Sequence, residues 1–499
     1  MEQKKLQKIL KIIGYIICGI QLVISVLTSL YVIRLKVLPT SFLTVTIVLL
    51  IILVVILTLM QRWIIPGIIG KFISILISAV LVIACFYIDY TYKKLNDMSG
   101  VDTKIDNVDV YVLIDDPAQN INDAKGYNFG ILSTLDRENT NNIIIDIESE
   151  VGQSISTTEY DSVKDLMQGL YDGTSQAIIL NYAYLGFVSD DEEYGDFKDK
   201  TKVIFNMDYE STISTDDNIP ADYLSDREGV FTVLLNGVDT RGTTIANSNS
   251  DTNIILTVNM NTHQILMINT PRDYYVPLSI SGGIPDKLAH SGAYGVDVTI
   301  DTLEMLYNVN IDNYVRINFD GFMDIIDELG GITVYSEYDF VGYDSDVVNM
   351  SYHFNQGYND LNGEQALLFA RERHAFVDGD RQRGKNQMAV IEGMINKAIS
   401  TEMLKNYTNV MERISDSVVT SMSYDEIAEL VKYQLTDGPK WEILKYSVTG
   451  SDSNSTTYST GSAQVYVMVP DENSVNKAKQ YLEDIYSGRI VVIEEDPVE

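Results

Sequence analysis

Three apolar blocks open this chain, at about residues 12–33, 42–60 and 72–88. A helix needs about 20 apolar residues to cross a bilayer, within a range of about 17 to 25. Each block qualifies. A cleavable signal peptide is not followed by two more such blocks, so residues 1–95 read as a three-helix membrane anchor. Lys4, Lys5, Lys8 and Lys11 precede the first block, and Arg62 and Lys71 flank the second loop. Arg34 and Lys36 lie in the first loop, and Lys93 and Lys94 follow the third block. That bias favours a cytoplasmic N-terminus. Three crossings then carry everything after Asp89 to the outer face of the membrane.

The remainder of the 499 residues is acidic, and the formal net charge is −34. Such a field repels nucleic acid, so a nucleic-acid partner is not expected. The two cysteines, Cys18 and Cys85, both sit in apolar blocks. The outer part therefore has no disulfide framework.

Composition divides the outer part into an accessory α/β domain, residues 96–220, and a larger α/β domain, residues 225–490. In the first, the Val- and Ile-rich segments 108–114, 143–147 and 202–207 read as strands. Segment 159–171 has helical spacing, with Val163, Leu166, Met167 and Leu170 on one stripe. The stretch 211–225 has a linker's composition. The tail after Arg489 reads as an edge strand or a frayed end. In the larger domain, 230–238, 252–259 and 263–269 read as strands. A turn centred on Asn261-Thr262 joins the last two. Counting outward from Met260 opposite His263 sets Asp251 opposite Arg272. Asp239, just past the first strand, can reach the same end. Segment 364–370 reads as a short helix entered after Asn362. Arg371 and Arg373 follow with period two, which in extended chain points both the same way. Asp380 is the expected N-cap of a helix running to about Ser400. Arg383 and Gln387 lie one turn apart at the head of its apolar face.

Carboxylates and arginines gathered in this way suit a metal-bound phosphate or pyrophosphate. Arg presents a planar, permanently charged fork to phosphate oxygens, and Asp offers hard oxygen ligands to Mg²⁺. For any single pair, an internal salt bridge with Asp239, Asp251, Glu372 or Asp378 is the alternative. The four histidines, His263, His290, His353 and His374, are too scattered for a zinc site. There is no Walker-type loop, no G-x-S-x-G and no cysteine nucleophile.

On these residues the chain resembles the LytR-CpsA-Psr family, in particular its streptococcal capsule-locus members with three membrane helices. The matching segments are LLNGVDTRG (234–242), SDTNIILTVNMNTHQILMINTPRDYYV (250–276) and DKLAHSGAYG (286–295). NYVRINFDGFMDIIDELGGITV (313–334), LNGEQALLFARERH (361–374) and GDRQRGKNQ (379–387) complete the set. The resemblance implies a catalytic domain with a central mixed sheet flanked by helices, on the outer face of a Gram-positive cell membrane. It implies a Mg²⁺-dependent phosphotransferase that moves a glycopolymer, here capsular polysaccharide, from a polyprenyl-pyrophosphate lipid to peptidoglycan. Asp239 and Asp251 would hold the metal. Arg272, Arg371, Arg373, Arg383 and Gln387 would bind the pyrophosphate, with Asp251, Arg272 and Arg371 nearest the chemistry. Asp251 or Asp380 would serve as general base, and Phe319, Phe322, Ile325 and Ile326 are candidate walls for the lipid. Many family members carry Arg two residues before the second aspartate, where this chain has Asn249. That removes one candidate phosphate contact, for which Arg241 is the candidate replacement. The competing expectations are a membrane-bound regulator of polysaccharide export that binds the lipid without turnover, and a polyprenyl-pyrophosphate hydrolase. Other capsule-assembly membrane proteins are expected partners.

Overall fold

The computed structural model describes residues 2–188, 191, 193–213, 224, 228–238, 247–344, 350–377, 379–400, 413–414 and 418–493. These divide into two compact units.

The first unit holds α1 (Glu2–Arg34), α2 (Thr40–Met60) and α3 (Ile64–Met98). All three are long and apolar enough to cross a membrane. At 1.5 Å per residue, α2 alone spans about 31 Å, the thickness of a hydrocarbon core. Their outward surfaces are Leu, Ile, Val and Phe. Some polar side chains are turned inward: Ser74 Oγ donates to Gln21 Oε1 at 2.6 Å, with both residues fully buried. Without water, such a bond has no competitor, and it fixes helix against helix. The distant helix Tyr424–Asp437 belongs to this unit. Its Tyr424 hydroxyl donates to the Leu35 carbonyl at 2.6 Å, and Lys36 pairs with Asp425 at 2.6 Å.

Among the described residues the second unit contains two large sheets and four two-stranded ones. The accessory sheet has order β3-β2-β4-β1-β5. Its strands are β1 (Thr103–Leu113), β2 (Asn128–Leu132), β3 (Ser156–Tyr160), β4 (Ala177–Asn181) and β5 (Thr201–Thr212). Segment 143–147 was expected as a strand and is instead part of helix α4 (Arg137–Val151). Thr140, Ile143 and Ile147 fall on one helical face and are buried there, so the 3.6 period overrides β-branched propensity. Segment 159–171 is also divided. Its first residues complete β3, and α5 (Val163–Tyr171) starts after Ser162, whose hydroxyl caps the Asp165 N–H. A 3-10 segment, Tyr182–Val188, leaves β4, and the short helix α6 (Phe197–Lys200) leads into β5.

The second large sheet begins with β6 (Val230–Val238), β7 (Ser250–Asn259) and β8 (Gln264–Asn269). The small pair β9 (Tyr275–Pro277) and β10 (Pro285–Lys287) leads into α7 (Leu288–Tyr294) and α8 (Val296–Tyr307). Then come β11 (Asn313–Asn318) and α9 (Phe319–Glu328). Two hairpin-like pairs follow, β12 (Ile332–Ser336) with β15 (Gly357–Leu361), and β13 (Phe340–Asp344) with β14 (Met350–Phe354). Helices α10 (Gly363–Arg371) and α11 (Asp380–Ala398) precede β16 (Val418–Thr420), β17 (Glu442–Ser447), β18 (Gly450–Thr456) and β19 (Gln464–Pro470). The main sheet runs β16-β11-β6-β7-β8-β17. β11 is parallel to β6 and β17 to β8, while the β6–β7–β8 pairings are antiparallel, so the sheet is mixed.

Both faces of this sheet are buried, which is why its central strands read as nearly unbroken apolar runs. Ile255, Leu266 and Ile268 pack on Ile300 and Leu303 of α8 and on Leu482 and Ile485 of the C-terminal helix Glu472–Tyr486. Ile254, Leu256, Ile265 and Met267 face the other way, onto Met388 of α11. α10 starts with a reciprocal cap between Asn362 and Gln365. Residues 490–493 form no strand, yet Val491 is held at both its N–H and its carbonyl by the Gln264 amide.

Candidate active site

The pairings fix which strand ends meet. Val238 pairs with Ser250 and with Asn318, and Ile254 pairs with Asn269. The ends of β6, β8 and β11 and the start of β7 therefore share one edge of the sheet. Asp239 follows Val238 directly but lies outside the described residues, as do Arg241 and Asp378. The hairpin register is as counted from the sequence. Asn259 pairs with Gln264, and the Thr270 N–H still donates to the Asn253 carbonyl at 2.9 Å. Asp251 and Arg272 thus leave the ladder opposite one another, and Asp251 Oδ1 stands 2.8 Å from Arg272 Nη1.

α11 brings the next charges. It is entered through Gly379, not capped by Asp380 as expected; Asp380 is the first helical residue, and its carboxylate pairs with Arg383 Nη2 at 2.5 Å. An aspartate in the first turn opposes the positive end of the helix dipole. Gly384 then lies against Asn269 at the end of β8. A Cβ at Gly384 would sit 2.1 Å from the Asn269 amide nitrogen, so only glycine lets the helix approach this closely. Burial lowers the Arg383 pKa; Asp380 opposes that, Arg272 adds to it, and Asp251 and Asp273 oppose it. Burial likewise raises Asp380, against the pull of Arg383, Arg272 and Arg373. Burial also pushes Asp273 up, but Lys287, Arg272 and Arg383 together outweigh it and hold this carboxyl below its usual range. Lys287 Nζ is 3.0 Å from Asp273 Oδ1. Arg272, Arg373, Arg383, Asp251, Asp273 and Asp380 therefore form one electrostatic cluster.

Arg371 is placed differently. It is the last residue of α10, not part of an extended run, so the period-two argument does not apply to it. Its guanidinium lies 4.5 Å from the centre of the Phe319 ring. Phe319 follows Asn318, the partner of Val238, so Arg371 stands beside the exit of β6. Glu372, between the two arginines, is buried and accepts the N–H groups of Tyr343, His374 and Ala375 instead of pairing with either. Gln387 is half-buried one turn beyond Arg383, with no side-chain hydrogen bond among the described residues. Ile325 and Ile326 are core residues, so packing accounts for them.

Two cavities adjoin the cluster. One of about 760 Å³ is lined by Asp273, Lys287, His290, Arg373 and Asp380, together with Gly186, Phe187, Asp191 and Glu193 of the accessory half. One of about 200 Å³ lies between Asp251, Arg272 and Asn249 and the 3-10 segment Tyr182–Val188. Sequence reasoning missed this composite wall, because nothing local marks a contact between residues 186 and 249. Asn249 Nδ2 donates to the Gly186 carbonyl at 3.1 Å, and a Cβ on Gly186 would come within 2.5 Å of the Asn249 amide. Here the asparagine that stands in place of the family's usual arginine ties the accessory half to the site. Asn247 extends the seam, since its N–H donates to Ile105 and its amide to Asp106, each at 3.0 Å. Lys104 Nζ joins Asp297 Oδ2 at 2.9 Å.

The family model for LytR_cpsA_psr matches residues 189–482. The chain belongs to the LytR_cpsA_psr family. The polyisoprenyl-teichoic acid–peptidoglycan teichoic acid transferase TagU of Bacillus licheniformis is 36% identical over 206 residues, which is 41% of this chain and 64% of TagU. The TagU of Enterococcus faecalis is 35% identical over 204 residues, 40% of this chain and 64% of that protein. The chain thus spans a little under two thirds of the length of these curated relatives. The crystal structure of B. subtilis TagV aligns at 28% identity over 52% of this chain and 99% of that one, with a TM-score of 0.43.

Proposed function

We propose that this family member is a Mg²⁺-dependent phosphotransferase that moves a polyprenyl-pyrophosphate-linked glycopolymer onto peptidoglycan. The observation that carries the reading is the cluster at the sheet edge, where Arg272, Arg373, Arg383 and Lys287 stand against Asp251, Asp273 and Asp380. Three arginines and a lysine converge there among the carboxylates, and fixed guanidinium donors beside an open cleft suit a phosphate anion.

The donor set suits the proposed metal. Asp251 Oδ1 is closed off from solvent and takes no well-directed hydrogen bond, its contact with Arg272 being an ion pair. A hard carboxylate oxygen with spare lone pairs is what Mg²⁺ takes alongside phosphate oxygens. Asp251 and Asp239 would hold the ion, and it would supply charge neutralisation between the two phosphates. The protein's own part is positioning. Arg272 and Arg383 orient the pyrophosphate, and Arg373 faces the cleft where the glycan enters. These guanidinium groups stabilise the charge that develops on the departing lipid phosphate, so phosphoryl transfer needs no protein nucleophile. Arg371, beside the exit of β6, bears on the same head group.

In this reading α1–α3 anchor the chain in the membrane that carries the lipid donor, with the N-terminus in the cytoplasm. Capsular polysaccharide is the proposed cargo. The test uses the full chain in detergent or nanodiscs, with a polyprenyl-pyrophosphate glycan, Mg²⁺ or EDTA, and a peptidoglycan fragment. Transfer that requires both Mg²⁺ and acceptor supports the reading. Phosphate release without acceptor marks a hydrolase, and binding without turnover marks a regulator. Running teichoic and capsular donors side by side identifies the cargo.

A further inference from the structure

A buried imidazole lines the larger cavity and takes no part in the scheme above. We propose that His290 is the general base that removes the proton from the attacking acceptor hydroxyl, oriented for that role by Asp286. The inference rests on the phosphotransfer reading and adds a catalytic residue to it.

Asp286 is fully buried, and its carboxylate is saturated. Oδ1 accepts from His290 Nδ1 at 2.7 Å and from the Lys287 N–H at 2.7 Å. Oδ2 accepts from the Ser459 N–H at 2.9 Å and from the Ser459 hydroxyl. Burial alone would push Asp286 up, but His290, Ser459 and the Lys287 N–H outweigh it and keep the carboxyl below its usual range. A charged carboxylate only accepts, so Nδ1 carries a proton, and once the ring holds that proton alone Nε2 is the acceptor. Among the described residues Nε2 has no hydrogen-bond partner, and His290 lines the cleft with Arg373, Asp380 and Lys287. Phe187 of the accessory half packs on the ring at 4.8 Å between centroids, fixing its plane. Backbone bonds tie the loop to the cluster, since the Ala289 N–H donates to the Arg272 carbonyl at 2.8 Å. The rival bases are already engaged, Asp251 with Arg272 and Asp380 with Arg383.

In the step, Nε2 takes the proton of the acceptor O–H as that oxygen bonds to the glycan-bearing phosphorus. The bond from that phosphorus to the bridging oxygen breaks, and polyprenyl phosphate leaves with the electron pair. The imidazolium then releases its proton to solvent.

The test compares wild type with His290→Asn, whose amide can keep the bond to Asp286, and with Asp286→Asn, which turns the proton onto Nε2. The full chain is assayed with lipid-pyrophosphate glycan, Mg²⁺ and peptidoglycan fragment. His290→Asn should lower kcat about 10²–10⁴-fold while donor affinity changes less than about threefold. The acidic limb of the wild-type kcat/KM profile should disappear. Asp191, Glu193, Asp273, Asp380 and Lys287 also face the cavity, so the loss of the limb in the variant is the deciding readout. Either variant retaining kcat within about threefold of wild type overturns the proposal, as does an unchanged limb. Should neither variant fold, His290→Gln is assayed in the same way, and a retained kcat or an unchanged acidic limb overturns the proposal. A wild-type protein that transfers nothing refutes the phosphotransfer reading itself, which is a different failure.

Discussion

Replacing Asp251 by Asn separates binding from turnover. The amide keeps an oxygen beside Arg272 but loses the ion pair. What is lost is one negative charge next to the guanidinium that is to hold the phosphate. At an effective dielectric of about 20, a phosphate charge about 6 Å from that carboxylate is repelled by about 3 kcal/mol before solvent screening. Screening at a partly open site reduces this to about 1 kcal/mol, or roughly a fivefold change in affinity. The variant should therefore bind the lipid pyrophosphate about fivefold more tightly in EDTA than wild type does. Turnover should move the other way. The variant lacks the charge that would hold Mg²⁺, and losing one such electrostatic element costs about 10²–10³ in rate. Binding by fluorescence or calorimetry in EDTA, and transfer with Mg²⁺, give the two numbers. A variant that binds more weakly without metal, or turns over within about fivefold of wild type, refutes the reasoning.

Asp380→Ala should destabilise the protein by about 1–3 kcal/mol in denaturant unfolding. That is less than the usual cost of stranding a buried arginine, because Asp251 and Asp273 remain in range of Arg383. Lys104→Met should cost a similar amount of about 1–3 kcal/mol and much less in an Asp297→Asn background, so a double-mutant cycle should return a coupling above about 0.5 kcal/mol. Asp136, which accepts from Asn181 at 2.8 Å and from Asn139 at 2.7 Å, is pushed up to about 7 by burial and by Asp106. A carboxyl raised in the folded state binds its proton more tightly there than when unfolded. It favours folding fully below about pH 4, and that contribution is lost as pH rises to about 7. Asp136→Asn suits this left-handed backbone position. By removing this titration it should stabilise the protein relative to wild type by about 4 kcal/mol more at pH 8 than at pH 4, read from thermal melts at both.

Much of the catalytic half was legible because its signals are local. β6 runs over the residues its apolar run marks, and the hairpin register follows from one turn. α10 starts at the capping asparagine. The pairing of Asp251 with Arg272 could be counted because it lies on that ladder. Asn249 and Gly186 are 63 positions apart and share no periodicity, so their bond is purely tertiary. Asp286 and His290 stand four apart at the entrance to α7, and an acidic residue at that offset can orient an imidazole, a signal that metal-ligand spacing does not show. The misplaced strand at 143–147 has the opposite cause. Four of its five residues are isoleucine, and strand propensity hid the helical stripe that Thr140 begins.

The sequence posed internal ion pairing and ligand binding as alternatives for these arginines, and the geometry removes the contrast. Arg272 and Arg383 are each paired with a carboxylate, so neither bears the cost of a buried lone charge while the site waits for substrate. The same pairs keep the guanidinium planes oriented, so little order remains to be imposed when phosphate arrives. A pyrophosphate must then compete with Asp251 for Arg272. In the proposed reaction Asp251, on holding a divalent cation, would be neutralised and would release Arg272 to the phosphate. Metal dependence and arginine binding are then one linked equilibrium. Donor affinity should rise with Mg²⁺ in wild type and become insensitive to Mg²⁺ once Asp251 is an amide. If donor affinity in that variant still climbs with Mg²⁺ as it does in wild type, the carboxylate is not the competitor and the linkage is wrong.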